Sequence, residues 1–426
     1  MFTVAHLFGG GAEPTSGLWF TAVIALLLPA TIIFGDRRDE LRRIWPGRIA
    51  VGLFGLVLAV AVWTLVAPAR GADTPWVALN GPGAISWDKS STLMEIAKLC
   101  ALAAVFGLGC FDGLSRCRVT AAVRIILALG AVWVIASLIL IFSRPEGWGG
   151  LHLTMSGRLT GGFGSANSGA TVYGLLAVLA VAALSRAIRN LRLGRSRRPR
   201  LAIMTALACV ILFTTCLLLT ASRMGVAATA VAVVALLVWE SLSRKERPSR
   251  RLILLSLIGA TAAVISIGGA DLLWSRLENV DSDSATRGVI FSVHWNAFLQ
   301  SPLFGHGLGS FNAINTQQMT PENYGALRII GATHNVYIQW LEEAGVLGAL
   351  PMFALIALII GTAIRRSALL DTGATLQRGL IAASLVVLVH GTTDYALQVP
   401  SIAAFWAYLL GLQFAYGKVR PVRSSA

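Results

Sequence analysis

Charge is scarce in this chain, and acid is scarcer than base: 20 Asp and Glu stand against 35 Lys and Arg, together only 13% of 426 residues. With 56% of residues hydrophobic, no aqueous core could use so much apolar surface, which excludes a soluble enzyme. Cysteine is sparse too. Cys100, Cys110, Cys117, Cys209 and Cys216 form no C-x-x-C pair, so neither a disulfide framework nor a zinc site is expected. No Asp or His cluster has metal-ligand spacing, and no repeat of fixed period marks an inverted-repeat transporter.

What the chain does have is apolar runs. A bilayer core of roughly 30 Å takes about 20 residues of helix, and eleven spans can be drawn: 17–34, 49–68, 92–110, 119–143, 166–185, 201–220, 224–242, 252–268, 345–364, 379–397 and 401–416. The expected fold is all-α, a polytopic membrane bundle of about 11–12 transmembrane helices. Its expected parts are N-terminal spans (1–268, about eight), a large loop with short amphipathic helices (269–335) and C-terminal spans (336–426, about three). The first run lacks a basic leader and a small-residue exit and continues into GDRRDELRR, so it reads as a retained helix and not a cleaved signal.

The basic excess follows topology. Alternate loops and the tail hold 25 of the 35 Lys and Arg, and the positive-inside rule makes that side cytoplasmic. This places the N terminus and the large loop outside. Contact with anionic membrane lipids explains such loops better than recognition of DNA or RNA, so no nucleic-acid partner is expected.

One arginine breaks the pattern. Leu201–Trp239 has no charge except Arg223, and as one helix its 39 residues would reach about 58 Å, nearly two bilayer cores. LTASRMGV must therefore turn between two spans, with Gly225 giving backbone freedom and Arg223 at the outer lipid–water boundary. A snorkelling anchor and an anion ligand both suit that position.

Other polar residues belong to the same face. Arg158 lies in glycine-rich RLTGGFGSAN, where glycine permits close backbone approach. In the large loop, 285–300 reads as an amphipathic helix with Arg287 in its first turn, where the dipole disfavours a cation unless Asp281, Asp283 or a ligand pairs with it. Arg328 follows. Thr333 is a candidate cap for a short helix ending near Gly345, with Asn335, Gln339 and Glu342 forming one polar stripe and His334 at its start. His390 and Asp394 stand four apart at the outer end of the tenth span, where pairing is expected. Arginines with one imidazole at a lipid interface suit a lipid-borne anion, a diphosphate best, with histidine able to take a proton from a hydroxyl.

RLTGGFGSAN from Arg158, the SRMG hairpin, R-x-x-x-F-x-x-H-W-N from Arg287, HNVYIQWLEEAGVLG and HGTTDYALQVP resemble the O-antigen ligase and Wzy-type polymerase superfamily over roughly 158–400. The resemblance implies a C-type glycosyltransferase that uses an undecaprenyl-diphosphate-linked glycan outside the cytoplasmic membrane, without a nucleotide sugar, cofactor or metal. It implies that Arg223 and Arg287 grip the donor diphosphate and that His334 activates the acceptor hydroxyl; Arg158 matches less securely, and Arg328 is supported by proximity alone. Members often have twelve spans with both ends inside, where eleven are counted here. The acceptor separates two activities: another lipid-linked glycan for a polymerase, which is the preferred reading, or a lipid A core for a ligase. A chain-length regulator is a possible partner of the polymerase. A flippase is the remaining alternative, but it calls for polar residues at many depths, whereas Glu95 and Lys98 are the main charges near a span interior and can pair at i, i+3.

Overall fold

The computed structural model describes residues 47–68, 85–143, 154–155, 157–195, 198–243, 280–370 and 373–416, with part of 17–31. In chain order come α1 (Arg48–Val66), α2 (Lys89–Gly113) and α3 (Arg116–Ser143). A two-residue strand pair follows, β1 (Thr154–Met155) against β2 (Arg158–Leu159). Then come α4 (Ala166–Arg192), α5 (Pro199–Leu219) and α6 (Arg223–Leu242). The loop region holds α7 (Val280–Gln300), α8 (Phe311–Gln317) and α9 (Tyr324–Leu327). The chain then builds α10 (Val336–Ser367), α11 (Ala374–His390) and α12 (Pro400–Tyr416).

Seven of these helices, α1 to α6 and α10, are long and apolar enough to cross a membrane, and α11 is a shorter apolar helix. The protein is an all-α, multi-pass membrane protein. Nine of the eleven expected runs coincide with helices, counting α11 and α12. The described residues of the run 17–34 are helical, and 252–268 lies outside the described residues, as does the expected pairing of Arg287 with Asp281 or Asp283.

α4 is the central helix. Of its most apolar window 67% is buried, against 22% for α5, because Gly169, Ala170, Gly174, Ala177, Ala180 and Ala182 let α5, α6 and α11 close around it. α5 instead turns Leu201, Met204, Leu207 and Ile211 outward, as a lipid-facing helix should. The α5–α6 hairpin turns through Thr220–Ser222, and the Ser222 hydroxyl caps α6 by accepting from Gly225 N–H at 3.3 Å. Gly225 is itself helical, contrary to the expectation that it loosens the turn. Its missing Cβ makes room for Ala170 of α4, and the positive φ (48°) belongs to Ala221.

α2 and α12 meet through small residues. A Cβ on Gly109 would run into the Tyr408 carbonyl, one on Gly411 into the Phe106 carbonyl, and one on Gly113 into Ala415. Gly109-x-x-x-Gly113 facing Gly411-x-x-x-Ala415 is the small-residue spacing that brings transmembrane backbones together. Nearby, Glu95 and Lys98 of α2 form the expected i, i+3 pair at 2.6 Å.

α10 is broken. Gly345 sits at φ 59°, ψ −175°, a conformation open essentially to glycine alone, and it frees backbone groups on both sides of the break. Residues 302–307 occupy the gap. His306 and Gly307 N–H donate to the Glu342 and Glu343 carbonyls at 2.9 and 2.8 Å, while Val346 and Leu347 N–H donate to the Pro302 and Leu303 carbonyls at 2.8 and 3.1 Å. Gly305 and Gly345 allow this approach, since a Cβ on either would meet the opposing backbone. The short helix expected to end near Gly345 is therefore the first segment of a longer, interrupted one.

Gly411→Val in α12 overpacks the α2 contact and should lower stability by about 1–3 kcal/mol. Thermal unfolding in detergent checks it, with Gly361→Ala, in open space on α10, expected to change little.

Candidate active site

The loops at the end of the bundle away from the basic segments converge on one region. β2 carries Arg158 to the hairpin tip. Its Nε donates to the Thr220 carbonyl at 2.8 Å, and its Nη2 donates to Asn167 Oδ1 at 3.0 Å and the Ala221 carbonyl at 3.5 Å. These carbonyls end α5, where the helix leaves acceptors unsatisfied and its dipole favours a cation. Arg158 thereby fastens the tip from which Arg223 emerges half-buried as the first residue of α6. Gly161 and Gly162, at φ 67° and 97°, turn the chain back beneath this contact, and Trp133 Nε1 donates to the Gly161 carbonyl at 3.1 Å.

His334 also has a positive φ, 55°. Ala221 and His334 are the only described non-glycine residues in that region, and an L-residue there costs about 1–2 kcal/mol. Strain at both the hairpin and the loop before α10 is held by surrounding contacts. The cap of α10 is Asn335, not Thr333: Asn335 Oδ1 accepts from Tyr337 and Ile338 N–H at 3.0 and 3.1 Å, while Thr333 Oγ1 donates to the Asn335 carbonyl at 2.7 Å. Asn335 wins because its oxygen reaches two orphan amides from one position.

The polar stripe is divided. Gln339 is buried, accepts from Thr333 N–H at 3.4 Å and donates to Glu343 Oε1 at 3.0 Å. Glu342 turns to His294 of α7. Asn335 and Gln339 thus tie the loop carrying His334 to the first turns of α10.

His334 Nδ1 is buried with no hydrogen-bond partner, and its ring meets Tyr395 edge-on at 4.9 Å. Burial, then the Arg287 guanidinium, push this imidazole down to about 4. At neutral pH it is an uncharged ring with proton-accepting capacity beside a permanent cation. Arg287 is half-buried on α7, but not in the first turn: α7 begins at Val280, five residues earlier than expected. Arg287 is therefore two turns in, clear of the dipole penalty.

His390 and Asp394 do not bond each other as expected. His390 Nδ1 lies 2.8 Å from Thr171 Oγ1, and Asp394 Oδ2 accepts from Ala396 N–H at 3.1 Å. The turn that follows α11 separates the two side chains and gives each a nearer partner. Asp394 is fully buried and its Oδ1 has no partner. Burial pushes the carboxyl up to about 6; the Tyr395 and Ala396 amides and then Arg287 and Arg158 act the other way. Asp394 thus lies in the field of both arginines, which joins the β2–hairpin group to the α7–α10 group. Arg328 is exposed at the C-cap of α9, and no described contact brings it to this cluster.

The sequence reading missed three contributors. Tyr395 bounds the His334 ring, Asn167 orients Arg158, and Thr171 holds His390. All three stood within or beside quoted motifs, but a contact between distant chain segments leaves no signature in spacing.

Two residues after His334, Val336 enters the lining of an apolar cavity of about 1250 Å³. It starts at Val336 and Gly391, which share a 2.9 Å backbone hydrogen bond, and reaches Cys110 and Ile364 along α2, α10 and α12. No charged side chain is among its described lining residues.

Residues 207–353 match the family model described as O-antigen ligase. That segment includes Arg223, Arg287, Arg328, His334, Asn335 and Gln339, and excludes Arg158, His390 and Asp394. No curated protein matches the chain. Through the segment that builds the hairpin, the inserted loop and the start of the broken helix, about a third of the chain, this multi-pass membrane protein is similar to the O-antigen ligase family.

Proposed function

We propose that the protein moves a glycan from undecaprenyl diphosphate to an acceptor hydroxyl at the periplasmic face of the bacterial inner membrane, as a Wzy-type polymerase of exopolysaccharide or O-antigen. One observation carries this reading: a neutral imidazole with a buried, unpartnered nitrogen stands in the field of Arg287, two residues along the chain from Val336 in the lining of an apolar cavity. Cation, proton acceptor and lipid-compatible hollow are what a lipid-borne diphosphate and an incoming alcohol require. The family description favours a second reading, transfer to a lipid A core as in an O-antigen ligase, with the same donor chemistry.

In this scheme Arg223 and Arg287 hold the two phosphoryl groups. The acceptor oxygen attacks the anomeric carbon, the carbon–oxygen bond to phosphate breaks, and the lipid diphosphate leaves with the electron pair. His334 takes the hydroxyl proton. A single displacement inverts the anomeric centre, and the arginines stabilise charge where it accumulates. Arg158, already bonded to the hairpin carbonyls, serves by holding Arg223 in place, and Asp394 balances the arginine charge.

Purified protein given lipid-diphosphate-linked repeat units, with or without lipid A core, should lengthen the lipid-linked glycan; product on the core alone means ligase. His334→Ala should lower kcat about 10²–10⁴-fold, and Arg223→Gln and Arg287→Gln should each remove about 2–4 kcal/mol of transition-state stabilisation. Full turnover in any of the three contradicts the assigned role.

The pH dependence has a definite sign. Neutral imidazole is the proton-accepting form, so with a pKa near 4 the base persists down to about pH 4. Removing the neighbouring cation makes imidazolium less unfavourable, and the pKa rises. In ¹⁵N-histidine NMR, the signal lost in His334→Gln should titrate near pH 4 and move upward in Arg287→Gln; titration near 6.5 in the native protein contradicts the buried base.

A further inference from the structure

A second histidine, His294, lies on the same helix as Arg287 and outside the groups given a chemical task above. Its Nδ1 is 2.7 Å from Glu342 Oε2, and both side chains have no solvent exposure. The Phe311 ring stacks on it at 4.9 Å and 24°. Replacing such a pair by apolar residues commonly leaves stability unchanged or improves it, so stability alone gives little reason for burying it here.

The positions of the two partners supply a reason. His294 follows Arg287 by seven residues on α7, and Glu342 follows His334 by eight, in the second turn of α10 just after the loop that carries His334. Seven residues bring a helix back to nearly the same face about 10.5 Å further along. With His294 against Glu342 and Arg287 acting on His334, α7 and the start of α10 run in the same direction. The buried pair is one rung between them, and the arginine–imidazole encounter is the next.

Adjacent contacts anchor the Glu342 end. The Glu342 carbonyl accepts from His306 N–H, whose ring Nε2 lies 2.9 Å from the Ala297 carbonyl of α7. Glu343 Oε2 accepts from Gly309 N–H at 2.8 Å. The rung therefore rests on a fixed support where α10 breaks, while the other end of both helices faces the reacting groups.

We infer that His294 and Glu342 are positioning residues that set the separation of Arg287 from His334 by locking α7 in register with the first segment of α10. The pair touches no substrate and acts through Arg287. This inference rests on the glycosyl-transfer reading of the site. Burial pushes the His294 imidazole down to about 4, with Asn315 acting the other way, so the ring is neutral at working pH. A neutral imidazole gives or takes one hydrogen bond at Nδ1 according to tautomer, and a carboxamide at position 342 offers either partner.

A double-mutant cycle in the polymerisation assay tests the idea. Glu342→Leu, which breaks the rung without leaving a buried charge, should lower kcat about 30-fold or more with donor KM within about threefold. Glu342→Gln should restore the rate to within about fivefold of native. Made on top of Arg287→Lys, Glu342→Leu should cost less than about threefold further, since a lysine cannot use the geometry that the rung maintains. A native rate in Glu342→Leu, an equal loss in Leu and Gln variants, or losses that multiply in the double variant would overturn the inference. If Arg287→Lys alone keeps full activity, the site assignment has failed instead. Should Glu342→Leu not accumulate as folded protein, His294→Asn, too short to reach Glu342, takes its place in the same cycle with the same expected values.

Discussion

A backbone amide or carbonyl exposed at membrane depth has no water to bond, and each one left unsatisfied costs several kcal/mol. The break in α10 at Gly345 exposes such groups on both sides, and the chain answers with its own loop. Residues 302–307 supply two donors and two acceptors to the gap, which ties the segment between α6 and α10 to the bundle. α7 is held by the same attachment through the His306–Ala297 and His294–Glu342 contacts. The course of α7, the helix that carries Arg287, is thereby tied to how the helix interruption is satisfied.

Electrostatics and strain add to this geometry. Arg158 uses its donors on carbonyls at the end of α5, a favourable location for a cation, and so steadies the hairpin behind Arg223. His334 is kept neutral by burial and by Arg287. Asp394, with one oxygen unpartnered, feels both Arg287 and Arg158. The two positive-φ residues, Ala221 and His334, occur at the two loops that meet here. A permanent cation thus acts on an imidazole that stays uncharged, an influence that water would weaken and burial preserves.

The membrane spans were legible because length and apolarity are local properties. The α5–α6 turn was legible for the same reason: an uncharged run of twice the bilayer thickness has to reverse, and Arg223 marks where. Motif resemblance pointed to Arg223, Arg287 and His334 and less securely to Arg158, while His390 and Asp394 were noticed as polar residues at the end of a span. Errors arose where local cues competed. Thr333 and Asn335 can both cap a helix, and the choice fell to the side chain whose oxygen reaches two amides at once. Asp281 and Asp283 looked like a boundary and are instead part of α7. Asn335, Gln339 and Glu342 looked like one stripe, yet Gln339 binds Glu343 and Glu342 binds His294.

Composition and periodicity were enough to establish an all-helical membrane chain. That property arises from each segment's own contact with lipid or water. Partner choice was different: that Arg158 grips the hairpin, that His390 turns to Thr171, and that loop 302–307 fills the break in α10 depends on pairings across up to about 220 residues. Such pairings are selected by which buried groups find a partner once the helices have packed, and no run of neighbouring residues encodes that outcome.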